Sequence, residues 1–172
     1  MSKTEKRSVS ALFKVSRAPR INIVDIVPGE IPMVSNSKNI PTQYIGNDVP
    51  PVEGGAVSVS KFGYCHYISA PFIPSDITVL EPLDGVDMSA EFGLFIATQL
   101  NVAFEYANYN DAVTLRVLED TKVEVPVTEK GEIDYKAVRD KMRSIMEKAQ
   151  VHVGQLAKRY KRYKKETNNG KL

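Results

Sequence analysis

From Tyr135 onward the chain carries a stripe that restricts its fold more than any other feature. Tyr135, Val138, Met142, Ile145, Ala149, His152, Leu156, Arg159 and Tyr163 are spaced alternately three and four residues apart. That is the spacing of one helix face, sustained for about four heptads, or roughly 45 Å at ~1.5 Å per residue. Only His152 and Arg159 interrupt its apolar character, and Val153 and Tyr160 lie beside them. Asp134 stands at the N-cap position, and Val138 is placed to pack on Ile133 as a hydrophobic staple. The rest of a 172-residue chain offers too short a surface to cover the whole stripe. Val138, Met142, Ile145, Ala149, Leu156 and Tyr163 are therefore expected to form a seam with another helix. The plainer alternative is a helix packed on its own domain.

Just upstream the period is different. Val123, Val125 and Val127 alternate as a half-buried strand does, and Gly131 breaks the run. Earlier in the chain, LFKV and INIVDIV read as short strands closed by Pro28-Gly29, and residues 31–53, with four prolines and many Asn and Ser, read as loop. Alternation returns over residues 56–68 and at Ile77 and Val79. Ser89 is placed to cap a helix whose buried face is Phe92, Phe95, Ile96, Gln99, Leu100 and Ala103. A polar turn, YANYND, leads to further alternation at Val113, Leu115 and Val117 and so to a strand. The expected class is α+β: a mostly antiparallel β domain with a packed helix, followed by a long, coiled-coil-like C-terminal helix. The divisions are a flexible N-terminus (1–11), a folded body (12–131), the long helix (132–166) and a flexible tail (167–172).

Charge is segregated. Residues 1–20 carry six basic residues against Glu5, and residues 158–172 carry seven against Glu166; between 21 and 133 there are five basic residues against sixteen acidic ones. Acidic surface disfavours autonomous binding to nucleic acid, because neutralised phosphates supply much of that affinity. The only cysteine, Cys65, cannot form an internal disulfide, and with His66 and His152 alone there is no zinc cluster to build. No apolar run approaches the ~20 residues of a membrane span, and the start MSKTEKRSVS lacks the apolar stretch of a signal peptide. A cytoplasmic protein is expected.

Catalytic signals fail on inspection. Val49-Pro50-Pro51-Val52 has the proline pair of amino-methyltransferases without the polar residue before it or the aromatic after it. Asp120-Thr121-Lys122 has the spacing of a metal-dependent nuclease, but the upstream acid is left to Asp111 in a polar turn. Gly54-Gly55 does not match a phosphate-binding loop, and Cys65-His66 in an alternating strand reads as a packing pair. No enzyme activity, cofactor or metal is expected.

The order of these pieces resembles the target recognition domain of type I restriction-modification specificity subunits, and of related type II systems with separate specificity chains. The stretches that carry the resemblance are LFKVSRAPR, GEIPMVSNSKN, GGAVSVSKFGYCHYISAPFIPSDITVLEP, FIATQLNVAFEYANYNDAVTLRVLEDTKVEVPV and GEIDYKAVRDKMRSI, from about residue 12 to about residue 150. The resemblance implies a non-catalytic module that reads one half of a split site in double-stranded DNA. Its helix would be a spacer docking methyltransferase and restriction subunits, in a bacterial, archaeal or phage-infected cell. A complete specificity subunit has two recognition domains and two spacer helices, so one of each reads as a half-subunit. It would pair with a second copy, or with another specificity half, through the helix.

By the same resemblance the reading loops are residues 34–47, 61–67 and 108–111. Asn and Gln pair bidentately with adenine, which selects Asn36, Asn39, Gln43, Asn108 and Asn110; Lys38 and Lys61 suit phosphate or guanine, and Tyr44, Tyr64, Tyr67 and Tyr109 add packing or phosphate contacts. Polar loops also hold Asn because Asn suits turns. The basic tail, Lys158, Arg159, Lys161, Arg162, Lys164 and Lys165, reads either as the solvated end of the helix or as a patch for phosphates. The acidic body keeps a second reading open: an interaction subunit, for assembly or as an acidic anti-restriction decoy, that keeps the fold without reading DNA.

Overall fold

A computed structural model describes residues 3–38, 44–45 and 50–169. A four-stranded antiparallel sheet forms its centre, from β2 (Phe13–Arg17), β5 (Ala56–Val59), β6 (Cys65–Ile68) and β8 (Thr78–Pro82), in the order β2-β8-β5-β6. β5 is buried on both faces, which explains why small Ala56 and Ser58 alternate with Val57 and Val59. A smaller sheet joins β3 (Ile31–Val34), β4 (Tyr44–Ile45) and β7 (Ile73–Pro74); among the described strands its β3–β7 pair is parallel and the other pairs are antiparallel.

Helix α1 (Ala90–Ala103) packs on the central sheet. The Ser89 Oγ accepts the Phe92 N–H at 3.3 Å as its cap, and Phe92, Phe95, Ile96 and Leu100 enter the core as the spacing predicts. Ala103 stays exposed at the helix end. Gln99 does more than fill its face. Its amide donates to the Glu124 carbonyl at 3.0 Å and accepts the Glu124 N–H at 2.8 Å, occupying main-chain groups of β9 (Lys122–Val127) as a neighbouring strand would.

The N-terminus corrects the expectation of a flexible segment. Lys3–Ser8 is a strand, β1, paired antiparallel with β9 along its whole length, Lys3 opposite Val127 and Ser8 opposite Lys122. Lys6 meets Glu124 at 3.6 Å on the outward face, while Arg7, on the opposite face and paired with Val123, donates from its guanidinium to the Gly131 carbonyl.

Two further strands are corrected. Residues 21–27 hold a short 3-10 turn at Ile23–Asp25, in which the Asp25 N–H reaches the Asn22 carbonyl at 3.0 Å. Val24 is left 90% exposed. The alternation at Val113, Leu115 and Val117 runs across a helix start: the Thr114 Oγ1 accepts the Val117 N–H at 3.3 Å, and α2 (Leu115–Asp120) buries Leu118 instead. Within residues 31–53, read as loop, β3 buries Met33 and Val34.

The join between β9 and the last helix follows the sequence reading. Gly131, at φ 80°, turns the chain, and Val127 and Ile133 form a bridge across the turn. Asp134 then caps α3 (Tyr135–Asn169), its Oδ1 accepting the Ala137 N–H at 3.0 Å, while Ile133 and Val138 pack in the same core. Helix α3 has 35 residues, about 52 Å at ~1.5 Å per residue, and continues past the expected end at residue 166.

Its N-terminal turns pack on the body, and the rest runs beyond it. Tyr135 meets Phe92 edge-on at 5.2 Å between ring centres, and its hydroxyl accepts the Asp87 N–H. Arg143 pairs with Glu91 at 3.2 Å. Val138 and Met142, expected in a seam with another helix, are buried in their own domain. From Arg143 to Arg162 every side chain is exposed.

Candidate nucleic-acid interface

Lys61 is the junction of the three loops expected to read DNA. Its backbone N–H donates to the Asn36 Oδ1 at 2.9 Å, and its carbonyl accepts the Val113 N–H at 2.9 Å, just beyond the 108–111 turn. The β5–β6 turn that carries it is held from within, because the Ser60 Oγ accepts the N–H groups of Phe62 and Tyr64. Gly63, at φ 84°, lies so close to the Phe104 carbonyl that a Cβ would approach it to 2.5 Å. The loops meet through the two main-chain groups of Lys61, one bonded to the Asn36 side chain and the other to the Val113 backbone.

Beside this junction lies a cleft of about 400 Å³, lined among others by Arg20, Asn36, Lys61, Phe62 and Asp76. Asp76 organises it. Its Oδ1 meets the Arg17 guanidinium at 2.5 Å, and its Oδ2 accepts from the Asn36 amide at 2.7 Å and from the Lys61 Nζ at 3.3 Å. Burial pushes the Asp76 carboxyl upward, but the hydrogen bonds from Arg17 and Lys61 outweigh it and hold the group below its usual range. The backbone is unusual too. Asp76 has φ 54°, a left-handed conformation that Asp and Asn tolerate better than other side chains.

Three solved structures place this architecture. A Type-I restriction-modification system S subunit from M. genitalium superposes with a TM-score of 0.65 at 13% identity, over 91% of this chain and 43% of that one. The HsdS subunit from Thermoanaerobacter tengcongensis does so with a TM-score of 0.61 at 11% identity, over 86% and 38%. A chain from a structure describing complex assembly of the type I R-M system gives 0.62 at 11% identity, over 86% and 39%. The chain has the S-subunit fold.

It spans about two fifths of the length of the S-subunit structures it matches. No protein-family model matches the sequence, and no curated protein does. The S-subunit likeness therefore resides in the arrangement of elements and scarcely in the residues.

Within the S-subunit fold the expected reading residues fall into distinct environments. Asn36 spends both amide hydrogens on the backbone and carboxylate of Asp76 and its oxygen on Lys61. Asn108 is a turn residue: its Oδ1 accepts the N–H groups of Asn110 and Asp111, and its amide donates to the Tyr106 carbonyl. Tyr67 lies against α1, its ring where a Cβ on Gly93 would come within 2.1 Å. Lys38, Tyr109 and Asn110 are exposed, and Tyr64 is half-buried. Asn39 and Gln43 lie outside the described residues, and of Tyr44 only the backbone is described. Arg17, Arg20 and Asp76 were not expected here, and the one local signal for them is a Ser-Asp pair after Pro74.

Cys65 is buried and its thiol is pushed up to about 12 by desolvation, which suits a packing residue. Among the described residues no group of three or more His, Cys, Asp or Glu is placed to hold a metal, and no helix is long and apolar enough to cross a membrane.

The exposed part of α3 presents a second face. Met146, Val153, Leu156 and Tyr160 are 44%, 63%, 48% and 64% exposed. With Ala149 they follow a 3, 4, 3, 4 spacing with no polar interruption, one column away from the stripe through His152 and Arg159. Ile145 flanks them, and the side chain of Tyr163 is not described. Residues 158–169 are helical, and Lys158, Arg159, Lys161, Arg162 and Lys164 are exposed.

Proposed function

We propose that this chain is a non-catalytic DNA-recognition subunit of a restriction-modification system, working in the cytoplasm. It reads a half-site through the loops that meet at Lys61 and docks methyltransferase and restriction subunits along α3. The S-subunit fold is the observation that carries this reading. Two features support it: the convergence of residues 36, 61 and 113, and the uninterrupted apolar column on a helix that runs on past its own body. A buried apolar seam is the ordinary partner of such a column, and a second copy or another specificity half supplies the matching helix.

Reading then rests on Lys38, Tyr64, Tyr109 and Asn110, and on Asn39, Gln43 and Tyr44. Asn36 and Asn108 shape the loops from beneath. Reconstitution with the cognate methyltransferase subunit, followed by footprinting on random-sequence duplexes, tests this reading; protection of one recurring sequence is expected.

The interaction-subunit reading keeps one specific observation in its favour. Lys61, one of five basic residues between 21 and 133, is already paired with Asp76. An assembly that forms with methyltransferase subunits but selects no sequence would support it.

A further inference from the structure

Arg17 and Lys61 converge on the two oxygens of one carboxylate. The Asp76 Oδ1 takes Arg17 at 2.5 Å and Oδ2 takes Lys61 at 3.3 Å, on the rim of the cleft that Arg20 and Phe62 also line. Two cations gripping two oxygens of one anion is also how a protein grips a phosphodiester. We propose that Asp76 stands in for a DNA phosphate on this cleft, holding Arg17 and Lys61 neutralised until the backbone of a duplex displaces it.

The proposal rests on the DNA-facing role of these loops and adds a guard to it. The three side chains are 32%, 35% and 30% exposed, in the order Arg17, Lys61, Asp76. Water therefore reaches the cluster. An ion pair that water reaches gains little over its separately hydrated charges, so another anion can replace the carboxylate. A polyanionic duplex gains more from the exchange, because each neutralised phosphate releases condensed counterions.

The backbone at Asp76 does not require a carboxylate. With φ 54° the position suits Asn as well as Asp, and Asn would also offer an oxygen to the Asn36 amide. What Asp adds is the negative charge. That charge suppresses sequence-blind adhesion to DNA while the loop geometry is kept. Lys61 is among the few basic residues of the body, so its neutralisation removes a large share of the attraction DNA meets there.

The test uses the full chain and a short duplex of arbitrary sequence, titrated between about 50 and 200 mM salt. Asp76→Asn is expected to bind about ten-fold or more tightly at the low-salt end. Its plot of log K against log salt keeps the wild-type slope, since the same phosphates are neutralised once the duplex has displaced the carboxylate, each contributing ~0.9. Adding Arg17→Gln and Lys61→Gln to that variant removes the gain in affinity and makes the slope shallower by about 2. An Asp76→Asn protein with wild-type circular dichroism and wild-type affinity overturns the proposal. So does a triple variant that keeps the tighter binding and the wild-type slope, because the gain would then come from net charge alone.

If Asp76→Asn fails to fold, Arg17→Gln with Lys61→Gln in the presence of Asp76 decides the matter. A slope shallower than wild type by about 2 supports the exchange, and an unchanged slope overturns it. Since the duplex is arbitrary, failure of the sequence-reading role shows separately, as a reconstituted assembly that selects no site.

Discussion

The side-chain oxygen of Asn36 accepts the backbone N–H of Lys61 at 2.9 Å, tying the end of β3 to the β5–β6 turn across 25 positions of sequence. The Asn36 amide completes the tie through the backbone and carboxylate of Asp76. One residue thus holds two loops in register with each other.

Asn36→Ala is expected to cost about 1–3 kcal/mol of stability in urea unfolding, because a partly buried N–H and a carboxylate lose their partner together. A change below about 0.5 kcal/mol would mean that the loops are held elsewhere.

Gly93→Ala should reverse its usual sign. In an ordinary helix interior the change stabilises by about 0.8–1 kcal/mol. Here the added Cβ would come within 2.1 Å of the Tyr67 ring, so a net loss of about 1–3 kcal/mol is expected. Combining it with Tyr67→Leu should recover much of that loss; thermal melts of the two single variants and the double variant measure the coupling.

What the sequence disclosed and what it hid follow from how each element is stabilised. The β9–α3 join, the Ser89 cap and the face of α1 were legible because periodicity and capping are local. β1 was not. Lys3–Ser8 pairs with Lys122–Val127 through main-chain groups that side-chain composition does not report, and its charges fall on both faces of the pair, Lys6 beside Glu124 and Glu5 and Arg7 beside Val125 and Val123. Asn36 and Asn108 were legible as loop residues but not in their roles, since the side chain that suits a base edge also suits a turn. α2 was misread because Val113, Leu115 and Val117 alternate across the Thr114 cap.

Helix α3 should divide into two functional lengths. Val138→Ala, deep in the body, is expected to cost about 2 kcal/mol without altering oligomeric mass. Val153→Asp with Leu156→Asp, on the exposed column, should leave the melting of the body unchanged and lower the mass of any helix-paired species in light scattering. A paired species that tolerates both charges would place the seam on another column.

Acid should release the Arg17–Asp76–Lys61 cluster. The carboxyl is depressed below its ordinary value of 3.8 in the folded protein, so its contribution is present above that value and is lost as pH falls through the folded pKa. The stability difference between wild type and Asp76→Asn should therefore be constant at neutral pH and shrink as the pH drops below about 3.8. Denaturant titrations at several pH values measure it.

The central claim is that this S-subunit fold reads DNA sequence. Its most direct test is selection from a random duplex library by the chain reconstituted with the proposed methyltransferase partner. The account predicts enrichment of one defined sequence, weakened or changed in base preference when Asn110 or Tyr109 is replaced by Ala. A stable assembly that enriches nothing would contradict it.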